Sequence, residues 1–232
     1  MYPLALTLNG LAIIVWPLID PVPQRSWIAV LVLMAVFTLV AGRGVTGVWR
    51  GALIDERNVI SLSRFQMALW TVLILSAFFC AAMSNIAAKD ASALSIAVPH
   101  ELWALMGISA TSLVASPLIL SNNKQQALTL AAPTQKPRVN ASPDAAQWSD
   151  LFKSEQEDPA KPPSPHLDLT RIQMFFFTLV TVVAYASLLW TRFGSIPTGG
   201  LHELPVLDSS MVTLLGISHT GYLVAKAVPR AT

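Results

Sequence analysis

Charge is what this sequence has least of: 12% of its 232 residues are Asp, Glu, Lys or Arg, against about 25% in a soluble globular domain. Fifteen cations and thirteen anions cannot cover the surface of a water-soluble chain of this size, so part of that surface is expected to meet lipid. That argues against an ordinary cytosolic enzyme. A net charge of +2, with no basic stretch that interleaves aromatics, gives no footprint for nucleic acid, and no such partner is expected. The single cysteine, Cys80, excludes an internal disulfide and any cysteine-based metal cluster. The four histidines, His100, His166, His202 and His219, lack metal-ligand spacing, so neither a metal nor a cofactor is expected.

Apolar runs are plentiful. Stretches near the length of a membrane-crossing helix, about 17 to 25 residues, fall at 2 to 19, 27 to 42, 66 to 87, 102 to 120, 172 to 191 and 210 to 228. The first two are short and separated only by Asp20 to Ser26, which leaves a re-entrant pair as the alternative to two spans. Trp16, Trp27, Trp103 and Trp190 lie near segment ends, where an indole suits the headgroup region. The first stretch has no basic residue before it and carries Asp20-Pro21-Val22-Pro23 where a small-residue cleavage site would stand, so it is read as a retained span and not a signal peptide.

Alternating crossings sort the cations unequally. One side receives Arg43, Arg50, Arg57, Arg64, Lys124, Lys136, Arg138, Lys153, Lys161, Arg171, Lys226 and Arg230; the other receives Arg25, Lys89 and Arg192. The positive-inside rule makes the richer side cytoplasmic and puts both termini there. A bacterial inner membrane is the expected setting.

The chain also repeats itself. Leu62-Ser63-Arg64-Phe65-Gln66-Met67 recurs 107 residues later as Leu169-Thr170-Arg171-Ile172-Gln173-Met174. Leu105-Met106-Gly107-Ile108-Ser109-Ala110-Thr111 recurs 109 residues later as Leu214-Leu215-Gly216-Ile217-Ser218-His219-Thr220. Two helical hairpins that each start inside and return form a parallel repeat about an axis along the membrane normal. Ser63-x-x-Gln66 and Thr170-x-x-Gln173 match the capping box, while Arg64, Gln66, Arg171 and Gln173 are candidates for membrane-interface or inter-repeat contact. Small residues one turn apart, as in Gly107-x-x-x-Thr111 and Gly216-x-x-x-Thr220, allow close helix packing and predict that the fourth and sixth helices form the inner pair.

Between the repeats, residues 122 to 168 mix seven prolines with polar and charged side chains, a composition that predicts a mostly flexible cytoplasmic linker. Within it Trp148-Ser149-Asp150-Leu151-Phe152 reads as a short amphipathic helix, with Trp148, Leu151 and Phe152 docking on the membrane surface or against the bundle. Residues 42 to 61 hold Gly42, Gly44, Gly47 and Gly51 but no phosphate-loop pattern. His219 is the one ionisable residue near the middle of a span. Ser109, Thr111, Ser218, His219 and Tyr222 are the candidates for a ligand or pore site. No catalytic residue is expected, since Ser218 and His219 are adjacent and point about 100° apart on a helix.

The run from Trp148 to Phe152, the segment Leu169 to Thr178 and Gly216-Ile217-Ser218-His219-Thr220-Gly221-Tyr222-Leu223 together resemble uncharacterised bacterial multi-span inner-membrane proteins with paired [ST]-R-x-Q-M and G-I-S helix motifs. The resemblance covers the last two thirds of the chain and implies bacterial origin but no activity. The expected fold is all-α, a polytopic membrane bundle of about six helices. Its divisions are an N-terminal hairpin (1 to 42), a cytoplasmic loop (43 to 61), the first repeat hairpin (62 to 121), the linker (122 to 168) and the second repeat hairpin (169 to 232). The leading function is a non-enzymatic scaffold or subunit of a membrane assembly, with the bilayer and either a second copy or another membrane protein as partners. The alternative is an oligomeric channel or small-solute transporter with its path near His219. Topology is checked by membrane-impermeant labelling of introduced thiols: Ala91→Cys should react from outside, and reaction of Ser142→Cys from outside would overturn the assignment.

Overall fold

The computed structural model describes residues 2–20, 22–107, 136–154, 156–157, 167–196, 200–213, 216–217 and 220. Four long helices dominate: α1 (Tyr2–Ile19), α2 (Pro23–Thr46), α3 (Leu62–Ala87) and α4 (Leu169–Gly194). Further helical stretches occupy residues 100–107 and 209–213. At 1.5 Å per residue the four helices, of 18, 24, 26 and 26 residues, run about 27 to 39 Å, enough for a hydrocarbon core of about 30 Å. All four are apolar enough to cross a membrane, so the chain is compatible with an integral membrane protein. Both α1 and α2 reach spanning length, which favours two crossings over a re-entrant pair.

Local chemistry sets the helix ends. Pro23 occupies the first turn of α2, where its missing N–H costs nothing. Gly47 closes the helix in the left-handed region (φ 81°), donating its N–H to the Arg43 carbonyl at 2.9 Å. The capping boxes read from Ser63 and Thr170 do not form, because both helices start earlier. Ser61 accepts from the Arg64 N–H to cap α3, and the Asp168 carboxylate accepts from the Thr170 and Arg171 N–H groups to cap α4. The two helices thus share one length and one cap register, 107 residues apart.

We call the end at which α3 and α4 begin the basal end, and the other the distal end. The main core joins α2, α3 and α4 with the distal loops, through Trp27, Val30, Trp70, Leu73, Ile74, Ala77, Tyr185, Leu189, Phe193 and Leu201. Trp27, expected to meet headgroups, is instead fully buried in the core, stacked on Phe193 with ring centroids 5.6 Å apart. Trp16, Trp103 and Trp190 stay exposed as interfacial indoles should. Among the described helices α3 is the most buried and α1 buries no residue; Gly107, expected at a close helix contact, is exposed.

At the distal end the loops after α3 and α4 pair with each other. Ala97 donates to the His202 carbonyl at 2.7 Å and accepts from the Leu204 N–H at 3.0 Å. Asn85, fully buried in the last turn of α3, clamps this junction: its amide accepts from the Leu201 N–H at 2.7 Å and donates to the Leu201 carbonyl at 2.9 Å. Tyr185 donates to the Pro205 carbonyl at 3.0 Å. Replacing Asn85 by Ala leaves two buried backbone groups of Leu201 unpaired, each worth about 1–3 kcal/mol. Unfolding of Asn85→Ala in mixed micelles should therefore show a loss of about 2–5 kcal/mol, and a loss below about 1 kcal/mol would mean that the clamp is not needed.

Candidate functional site

The basal end carries a built cap. The chain leaves α2 at Gly47, passes through a 3-10 turn at Gly51–Leu53 and forms a short hairpin whose Ile54 and Ile60 bridge antiparallel. A side chain on Gly51 would collide with the Gly42 carbonyl and the Thr46 hydroxyl, so these glycines permit close packing and form no phosphate loop. Asp55 shapes the hairpin, accepting from the Arg57 N–H at 2.9 Å and pairing with its guanidinium at 2.6 Å. Asn58, in the left-handed region at φ 58°, supports the turn.

Residues 138 to 153, taken from composition to be flexible linker, fold onto this hairpin. Asn140 and Asn58 exchange hydrogen bonds, Asn58 Nδ2 to the Asn140 carbonyl at 3.1 Å and Asn140 Nδ2 to the Asn58 carbonyl at 2.7 Å. Arg50 donates to the Asp144 carbonyl at 2.8 Å. The run at 148 to 152 makes one 3-10 turn, Trp148–Leu151, in place of an amphipathic α-helix. Its apolar residues part company. Leu151 is buried with Val48, Leu53, Ile54, Ile60, Leu62 and Met174, and Phe152 lies edge-on to Phe175 at 5.1 Å. Trp148 stays 57% exposed. Of the three residues expected to dock, Leu151 and Phe152 pack against the bundle end and Trp148 does not.

Asp150 holds the turn closed. Its residue is 3% exposed, and its carboxylate accepts from Arg138 at 2.7 Å, from Lys153 at 3.4 Å and from the Gln147 N–H at 2.8 Å. Burial pushes its carboxyl up, but the Gln147 N–H, Arg138 and Lys153 together outweigh that and hold it below the ordinary carboxylate range. No pattern in the sequence announces this centre, because Arg138 lies twelve residues away with no helical or strand period to link them.

The repeat motif residues fall into unlike surroundings. Gln66 is fully buried and donates to the Thr178 hydroxyl at 2.7 Å, which itself donates to the Met174 carbonyl at 2.8 Å. This bridge ties α3 to α4; the Gln66 carbonyl oxygen has no partner among the described residues. Gln173 is exposed. Arg171 is buried and donates to the Lys153 carbonyl at 2.8 Å, fixing α4 to the cap, whereas Arg64 is half-buried. Arg171 therefore serves the cap and is not open to headgroups. Ser109, Thr111, Ser218, His219 and Tyr222 lie outside the described residues.

The distal end offers two open depressions. One is lined by Leu188, Thr191, Arg192, Glu203 and Pro205, the other by Ser92, Ser95, Ala97 and His202. His202 sits 2.8 Å from the Asp90 carboxylate. The Ser92 N–H is the main influence that lowers Asp90 below the usual carboxylate range, with His202 a smaller one. Among the described residues no group of three His, Cys, Asp or Glu side chains gathers in metal-binding geometry.

No family model, curated protein or solved structure matches the chain. The basal cap presents a fixed surface, and its stability should follow the ionisation of Asp150. A carboxylate whose pKa is lowered by folding contributes stability above its unfolded pKa, about 3.9, and loses it as pH falls through the folded value. Limited proteolysis of residues 138 to 153 should accelerate below about pH 4. Asp150→Asn should show that faster cleavage already at pH 7 and little further change on acidification; an unchanged cleavage rate at pH 7 would discount the carboxylate.

Proposed function

We propose that the chain is a non-enzymatic integral-membrane scaffold, or a subunit of a membrane assembly, whose basal cap is its docking surface. One observation carries the reading. The Trp148-to-Phe152 run spends Leu151 and Phe152 on holding the cap together, yet leaves the indole of Trp148 in the open on a backbone fixed by Asp150. An exposed tryptophan on a rigid support is the kind of anchor that dominates protein interfaces, because burying it on a partner gains area at little entropic cost. Buried polar groups described on α3 and α4 are spent within the bundle: Gln66 bridges to Thr178, and Ser76 and Thr181 donate to carbonyls of their own helices, which fits a structural bundle.

In this reading the basal end faces the cytoplasm of a bacterial cell. The segregation of Arg43, Arg50, Arg57, Arg64, Arg138, Lys153 and Arg171 to that end supports the orientation. The equal length and shared cap register of α3 and α4 support descent of the two hairpins from one unit.

The test is the native assembly of the full chain extracted into lipid nanodiscs. Wild type should hold a second copy or a distinct membrane protein, and Trp148→Ala should release it while changing stability by no more than about 0.5 kcal/mol, as for an exposed residue. Retention of the same assembly by Trp148→Ala would sink the docking surface. A water-filled axis whose flux depends on His219 would sink the scaffold in favour of a channel.

A further inference from the structure

The aromatic and cationic side chains where α1 begins and α2 ends are arranged around one guanidinium. Arg43, in the last turn of α2, donates its Nε–H to the phenolic oxygen of Tyr2 at 3.1 Å. The left-handed turn at Gly47 then brings the chain back so that the Trp49 ring lies under the guanidinium, 4.8 Å from Arg43 Cζ to the ring centroid. The charge is thus held from two directions by groups that do not neutralise it. Among the described residues no carboxylate pairs with Arg43, whereas Arg57 has Asp55, and Arg138 and Lys153 share Asp150.

A guanidinium has five N–H donors. With Nε committed to Tyr2, the four Nη–H bonds have no hydrogen-bond partner among the described residues and keep the planar fork that matches a phosphate. Trp49, Tyr2 and Val45 around it are exposed, and the group stands at the end of two apolar helices of spanning length, the level at which phospholipid headgroups lie and at which Trp and Tyr are favoured. We propose that Tyr2, Arg43 and Trp49 form a binding site for the phosphate of one anionic phospholipid. Arg43 carries the contact, and Trp49 and Tyr2 orient it. The competing role for Arg43 is purely structural, a cation at a helix C-terminus complementing the dipole; that role needs neither an open fork nor an exposed ring.

The inference rests on the chain residing in a membrane but not on the docking surface, and the two fail separately. A chain that remains soluble and monodisperse without detergent fails as a membrane protein altogether, while a failed lipid site leaves it membrane-bound. The experiment is native mass spectrometry of the full chain in detergent, titrated with phosphatidylglycerol, with phosphatidylcholine and with inorganic phosphate. Phosphatidylglycerol should be retained in preference to the other two, and Arg43→Gln should weaken its retention about fivefold, the worth of one basic side chain at an anionic surface. Arg192→Gln, at the distal end, should leave retention unchanged. Should Arg43→Gln not fold, Trp49→Leu keeps the charge and removes the ring, and a loss of about twofold to fivefold is expected for an exposed cation–π contact. Equal retention of the two lipids, undiminished retention in the variant that is read, or inorganic phosphate binding as tightly as phosphatidylglycerol would each overturn the site.

Discussion

Hydrocarbon gives a backbone N–H or C=O no partner, so a chain crossing it must satisfy those groups within helices and leave every turn, cap and charge for the ends. The described residues are laid out as that constraint requires, with four apolar helices of spanning length between two polar ends. Polar chemistry is concentrated in two thin layers, and each layer has to tie together segments that are remote in sequence. At the distal end a single buried amide, Asn85, holds both backbone groups of Leu201, 116 residues away. At the basal end the Asn58 and Asn140 pair, 82 residues apart, and the Asp150 carboxylate perform the same task. Each end thereby couples the first half of the chain to the second, and the apolar core of Trp70, Tyr185 and Phe193 fills the space between.

The two halves are alike in register and unlike in use. α3 and α4 have the same length and are capped at corresponding positions by Ser61 and Asp168. Yet Gln66 bridges to Thr178 inside the bundle while Gln173 faces outward, and Arg171 lies under the cap while Arg64 is half-open. The asymmetry has a visible source. Residues 138 to 153 form a cap that precedes α4 and is anchored on its first turn, whereas α3 is preceded by the hairpin on which that cap rests. Two similar stretches 107 residues apart thus supply one helix-to-helix bridge and one helix-to-cap fastening.

The long helices were legible because spanning demands a long uninterrupted apolar run, and composition alone reveals such runs. Their ends were less so: α3 is capped by Ser61 and not by Ser63, and begins at Leu62, at the foot of a hairpin that no periodicity announces. Trp27 shows a similar limit. An indole near a segment end looks interfacial, and only its stack on Phe193 from α4 makes it core. The linker misled most, since prolines and charges usually mark segments unable to bury a core. Here Leu151 and Phe152 borrow the apolar surface at the start of α3 and α4, so a stretch that lacks a core of its own completes one begun elsewhere.

The sequence by itself determined that the chain is apolar and helical, because long apolar runs with few charges are a property of each segment taken alone and leave their mark in composition. It also carried the 107-residue echo that aligns α3 with α4. Tertiary structure alone decided that Gln66 and Arg171 are buried while Gln173 is exposed and Arg64 half-buried, how Asp150 finds Arg138, and why Trp148 is left exposed while Leu151 is not. Those outcomes depend on which surfaces meet when distant segments converge. The energies involved, a shared carboxylate or a stacked ring, arise only once the chain has closed on itself.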